Sequence, residues 1–129
     1  MAVFCFLGRF FIWESTSVKK IGDLFETQIT EILQSEGWKI VERNLHNQYG
    51  ELDIVIQKEQ ILGIVEVKGR NQESPWNDEV LSPTKKARLI RCSNLFLSEC
   101  SLDFDEVIFV VVLIEKGDIV MIWDAFEAE

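Results

Sequence analysis

Three side chains whose types could do chemistry stand in the stretch from Gly50 to Arg70, GELDIVIQKEQILGIVEVKGR: Asp53, Glu66 and Lys68. They interrupt two short apolar runs that otherwise read as buried strands, where an isolated charge is costly unless it is paired or coordinated. Two carboxylates and an ammonium suit a hard divalent cation such as Mg2+ or Mn2+. Magnesium is ordinarily held by one or two carboxylates, keeps several waters and takes further ligands from a substrate phosphate. Such a cation orients and acidifies an attacking water while neutralising charge on a phosphodiester. A neighbouring lysine can orient that water, stabilise the developing charge or, when desolvated, act as a base. An ion pair on a solvent-facing strand, Glu66 with Lys68 or Asp53 with Lys68, accounts for the same residue types without any chemistry. Residue types alone do not choose between the two.

The elements around this stretch decide whether the three can meet. Glu51–Gln57 and Ile61–Lys68 read as two strands joined by a polar turn around Lys58 and Glu59, a hairpin on spacing. Side chains alternate faces along a strand. With an even number of residues in the turn, Glu51 and Asp53 fall on the same face as Glu66 and Lys68. Upstream, Ile21, Leu24, Phe25, Gln28, Ile29, Ile32 and Leu33 follow the i, i+3, i+4, i+7 rhythm and predict an amphipathic helix over about 18–36, ended by Gly37. Glu26 lies at the border of that apolar stripe, either facing solvent or pointing along the buried face toward a strand.

Trp38–Arg43 alternates like a half-buried strand, and the following NLHNQYG reads as a loop carrying the only histidine, His46, expected to be solvated. Gly69–Pro83, with Pro75 and Trp76, reads as a mobile loop. From Thr84 to about Cys100 a second helix is predicted, with Leu89, Cys92, Leu95, Phe96 and Cys100 inward and Lys85 and Arg88 together on another side. Phe104–Ile114 is apolar and β-branched enough for a central strand buried on both faces. Gly117 and Asp118 turn the chain into a last strand, Ile119–Trp123. The order of arm, helix, three strands, helix and two strands predicts an α/β sandwich with a mixed sheet of about five strands and a helix on each side.

Bulk properties narrow the function classes. The 129 residues are most simply one domain, and 47% hydrophobic with 27% charged residues is ordinary for a globular protein. Three cysteines, Cys5, Cys92 and Cys100, with no metal-ligand spacing, suggest a reduced, cytoplasmic compartment, and Cys92 and Cys100, near Leu89 and Phe96 on one helical face, read as small core residues. The apolar arm at 1–14 falls short of the roughly 20 residues of a membrane span and is interrupted by Arg9, so it reads as a packed strand or arm and a possible homodimer contact rather than a membrane element. A net charge of −9 argues against general polyanion binding. Its distribution is uneven: six bases face three acids between Lys68 and Arg91, whereas nine acids face Lys116 alone from Glu99 to the end. A local anion-binding surface on an acidic body has this pattern, and so does a merely solvated charge pattern. On the first view, Arg70, Lys85, Lys86, Arg88 and Arg91 would neutralise phosphates without reading sequence, giving weak, salt-sensitive binding to nucleic acid, DNA in the first instance. Trp76 is either a base-stacking residue or a hydrophobic loop anchor.

Asp53 and the Glu66-Val67-Lys68 tripeptide thirteen residues on resemble the split Asp…Glu-x-Lys signature of the restriction-endonuclease-like nuclease superfamily. More narrowly, Gly22 with Glu26, Gly37-Trp38, Arg43-Asn44, Gly50-Glu51-Leu52-Asp53, Val65-Glu66-Val67-Lys68 with Arg70, Lys85 and Phe104-Asp105 resemble the YraN-like family of small bacterial proteins, related to archaeal Holliday-junction resolvases. The resemblance runs from about Ile21 to Val112. It implies a three-layer restriction-endonuclease-like sandwich, a core over 15–114, and a C-terminal strand and acidic tail over 115–129. It further implies Asp53 and Glu66 as metal ligands with the Val67 carbonyl as a third, Lys68 serving the attacking water, and Glu26 assisting from the first helix. Glu51 would be a metal ligand or support for one, and Lys85 a phosphate contact. Phe25 stands where the family favours Gly and Ile29 where it favours Ala, implying different packing of the first helix; Asp103 replaces a frequent base. The expected activity is Mg2+- or Mn2+-dependent endonuclease cleavage of structured or branched DNA. A non-catalytic nucleic-acid-binding module and a protein-interaction domain are the competing readings.

Overall fold

A computed structural model describes residues 2–6, 18–70, 81–115 and 118–127. The elements are β1 (Ala2–Phe6), α1 (Val18–Ser35), β2 (Lys39–Asn47), β3 (Gly50–Lys58), β4 (Ile61–Arg70), α2 (Pro83–Glu99), β5 (Glu106–Glu115) and β6 (Asp118–Trp123). They form one sheet in the order β1-β6-β5-β4-β3-β2. The β4–β5 pair is parallel and the other pairs are antiparallel. This is the expected mixed sheet, arranged as a restriction-endonuclease-like α/β sandwich, with six strands rather than about five. The additional strand comes from the arm: Ala2–Phe6 pairs in register with Ile119–Trp123. β6 would otherwise be a sheet edge with unpaired N–H and C=O groups, and an apolar, β-prone segment satisfies them.

Each helix covers one face. On α1 the periodic residues Phe25, Ile29 and Leu33 are buried against Ile54, Ile56, Val65, Val110 and Val112. Complete burial of a side chain such as Ile29 or Leu33 stabilises by about 1.5–3 kcal/mol. Phe25 and Ile29, the two bulky residues that set this helix apart, are thus fully used in the core, while Leu24 stays exposed at the edge of the stripe. The helix ends in a paired C-terminal motif: Trp38 N–H donates to the Leu33 carbonyl and Gly37 N–H to that of Gln34, with Gly37 at φ 95°. On the opposite face α2 buries Leu89 and Cys92 against Val55, Leu62, Ile64, Phe109, Val111 and Leu113. The six consecutive residues Phe109–Ile114 are buried, alternating between the two layers, as a central strand requires.

Two local readings are corrected. β2 runs on through Asn47, so His46 is a strand residue paired with Glu51 and only Gln48 and Tyr49 form the turn. The turn-forming residue types misled there; cross-strand bonding to β3 holds the segment extended. β3 also departs from simple alternation. Leu52 joins the α2 layer and Ile54, two residues later, joins the α1 layer. The strand therefore turns its faces between them, opposite a left-handed Asn44 at φ 52° on β2; a β-bulge between Ile40 and Glu42 follows along the pair, opposite Ile56 and Val55. Asp53 sits at that turn. Trp76 and residues 71–80 of the expected loop lie outside the described residues, as do the side chains of Cys5 and Arg70.

Candidate functional site

The hairpin turn at Glu59 and Gln60 holds two residues, with Lys58 opposite Ile61, and pairing of β3 with β4 runs to Ile54 opposite Val65. A continued ladder would set Leu52 against Val67. Instead β3 leaves with β2, to which Leu52 is paired opposite Leu45, while β4 keeps its parallel partner β5 as far as Arg70. The gap is bridged by a side chain: Val67 N–H donates to Asp53 Oδ2 at 2.8 Å. The carboxylate thus takes the place of a backbone carbonyl, which fixes its orientation and opens a cleft between the diverging strands.

The cleft has a volume of about 330 Å³ and is lined by Gly50, Glu51, Asp53, Glu66, Lys68, Lys85, Arg88 and Leu89. The structure therefore brings Asp53, Glu66 and Lys68 together, adds Glu51 at the rim, and supplies Lys85 and Arg88 from α2. Those two are aimed by the start of the helix. Ser82 caps it, its hydroxyl accepting from Lys85 N–H at 3.2 Å, and Pro83 occupies the first turn, where a missing N–H costs nothing. The first turn carries no acid, so the positive end of the helix dipole adds to the attraction for anions.

Burial and neighbours set the charge states. Glu66 is pushed up to about 9, first by burial, then by a hydrogen bond with Asp53 and the Asp53 charge; Lys68 and Lys85 pull the other way. At neutral pH Glu66 holds a proton and shares it with Asp53. Lys68 is pushed below the ordinary lysine value by burial, then by its contact with the Lys85 amine and the Lys85 charge, against the pull of Glu66 and Asp53. With Glu66 neutral, Lys68, Lys85 and Arg88 outnumber Asp53 and Glu51 among the described lining residues, on a chain whose net charge is −9. Two adjoining carboxyl groups beside several cations fit a hard divalent ion together with a phosphate.

Other expected members stand at the rim of the cleft or outside it. Glu26 does not line the cleft; its carboxylate stands 4.0 Å from the Arg43 guanidinium of β2. Glu51 is largely exposed and pairs with His46 at 3.3 Å. Among the described residues no three His, Cys, Asp or Glu side chains form a metal-holding group, so neither Glu26 nor Glu51 completes a set with Asp53 and Glu66. Lys86 turns away, its ammonium 5.6 Å from the Phe126 ring centroid. Arg91 lines a neighbouring recess together with Arg88, Gln48 and Tyr49. Neither Tyr49 nor the Asn47 that holds it stands out from the sequence as functional; the only signal is a lone tyrosine between Gln48 and Gly50. No helix among the described residues is long and apolar enough to cross a membrane.

The family model described as "Uncharacterised protein family UPF0102" matches residues 25–121, which include every cleft-lining residue. A UPF0102 protein of Syntrophomonas wolfei is 36% identical over 104 residues, covering 77% of this chain and 89% of its own. One from Flavobacterium johnsoniae is 38% identical over 104 residues, covering 76% and 83%. One from Parasynechococcus marenigrum is 35% identical over 89 residues, covering 69% and 66%. With three quarters of its length matched to the family and relatives above 30% identity across most of both chains, the chain belongs to the UPF0102 family.

Proposed function

We propose that the protein is a divalent-metal-dependent endonuclease acting on structured or branched DNA. The observation that carries this reading is the splayed end of β3 and β4, where Asp53, Glu66 and Lys68 meet in one cleft beneath Lys85 and Arg88. Asp53 and Glu66, with the Val67 carbonyl, would hold Mg2+ or Mn2+. When bound, the ion would acidify a water and offset phosphate charge. Lys85 and Arg88 draw the phosphodiester into the cleft and hold its non-bridging oxygens, Arg88 through its planar fork. Lys68, partly desolvated and crowded by Lys85, orients the attacking water and supports the charge that develops as the P–O bond forms. The Val67 N–H keeps Asp53 aimed throughout. These contacts engage backbone and not base edges, so substrate shape governs selection.

Incubation of the purified protein with junction, flap, single-stranded and duplex DNA in either metal tests this. Cleavage is expected that falls by at least a hundredfold in Asp53→Asn and Lys68→Ala, as for loss of groups acting on the reacting atoms. Activity that survives both substitutions would sink the assignment. Metal-independent binding without cleavage, weakened by Lys85→Ala and Arg88→Ala, would support a binding module instead.

A further inference from the structure

A second recess, of about 580 Å³, adjoins the cleft at the tip of the β2–β3 hairpin. Gln48 and Tyr49 wall it from the hairpin, and Thr84, Arg88 and Arg91 from α2. Arg88 lines both recesses, which makes them neighbours across one side chain. Tyr49 is the only tyrosine of the chain and remains 41% exposed.

The tip is held in place although it lies at the surface. Asn47 Oδ1 accepts from Tyr49 N–H at 3.0 Å, and Asn47 Nδ2 donates to the Cys92 carbonyl at 3.1 Å, tying the hairpin to the middle of α2. Gly50, at φ 144°, lets the Arg88 stem cross the backbone: a Cβ there would stand 3.3 Å from Arg88 Cδ. The backbone that carries the exposed ring is thereby fixed across the recess from two guanidinium groups.

An exposed tyrosine in one recess with two arginines, next to a cleft suited to a phosphodiester, matches a nucleotide: a flat base and its phosphates. A recess of this size lies within the range of small-molecule sites. In continuous duplex both faces of a base are stacked on neighbours, whereas an unpaired base is free to stack on a protein ring. Building on the nuclease reading above, we infer that Tyr49, Arg88 and Arg91 form a subsite for an unpaired nucleotide adjoining the phosphate in the cleft. The base stacks on Tyr49, Arg91 takes its phosphate, and Arg88 spans the two recesses. The substrate class is DNA with a single-stranded segment at the cleavage point, in preference to continuous duplex.

The test is binding of a single-stranded oligonucleotide containing 2-aminopurine, whose fluorescence falls on stacking, to the full chain at low salt in EDTA. The wild-type protein is expected to quench the base on binding. Tyr49→Ala should lose the quench and bind roughly tenfold more weakly, the scale of one base–aromatic stack, while Tyr49→Phe keeps both. Blunt duplex should bind alike to all three. An unchanged quench in Tyr49→Ala, equal losses on single strand and duplex, or no wild-type binding at all would each overturn the subsite. With no metal present, the result is independent of cleavage. A Tyr49-dependent quench in a protein that cleaves nothing retains the subsite and removes the nuclease reading; cleavage accompanied by a Tyr49-independent quench does the reverse.

Discussion

Glu66 is the residue whose protonation sets the charge of the cleft. Its carboxyl stays protonated to about 9, against an ordinary value of 4.5, because burial and Asp53 both oppose ionisation. Between those values the unfolded chain has released a proton that the folded chain retains. The contribution of Glu66 to stability is therefore full below about 4.5 and is lost as pH rises toward 9. Glu66→Gln should flatten that slope, which urea unfolding at the two ends of the range will show; equal slopes in both proteins would contradict the burial of a protonated Glu66. Asp53 has a second role as acceptor for Val67 N–H. Asp53→Asn, which can still accept, should keep the fold, whereas Asp53→Ala should cost about 1–3 kcal/mol of unfolding free energy by stranding a half-buried donor. Asp53, Glu66 and Lys68 were legible in the sequence because charges inside apolar strand runs demand an explanation. Glu26 was not: a helical stripe fixes its border position but not the strand residue it meets, which is Arg43. Tyr49 was invisible because its meaning depends on α2, far along the chain.

At the scale of elements, the site exists because β3 has two partners that diverge. It pairs with β2 along its whole length, but with β4 only over its second half. Both helices and the central strand were legible from period and composition, and the even hairpin turn put Asp53 on the side of Glu66 and Lys68. The twist within β3 was not legible, since the left-handed Asn44 opposite it lies on the neighbouring strand. The length of β2 was missed because turn-forming residue types at 44–48 were overridden by cross-strand bonding. Where β3 and β4 do pair, they pack closely: a Cβ on Gly63 would stand 2.7 Å from Ile56 Cγ1. Both residues are buried, so Gly63→Ala should destabilise by about 1–3 kcal/mol through overpacking. Chemical denaturation would read this as a lower midpoint at unchanged slope; an unchanged midpoint would mean the strands are not so closely apposed.

For the whole molecule, a few cations on an acidic body set the terms of binding. Besides Lys68 at the carboxylates, Lys85, Arg88 and Arg91 are the described bases that line the two recesses. Three phosphate contacts to a single strand give a slope of log K against log salt of about −2, a loss of roughly twentyfold between about 50 and 200 mM salt. A titration of binding against salt checks this, and a much steeper slope would mean that further bases take part. The sheet also depends on its first strand. Removing residues 1–6 strips β1 from β6 and should produce concentration-dependent association in sedimentation or sizing experiments; unaltered behaviour would mean that β6 needs no cover. The central claim is that the splay of β3 and β4 builds a metal–phosphate site. Anomalous diffraction from crystals soaked in manganese tests it most directly. A peak between the carboxylates of Asp53 and Glu66, absent from Asp53→Asn crystals, is the predicted result; well-diffracting soaked crystals with no peak there, or with manganese bound only elsewhere, would contradict it.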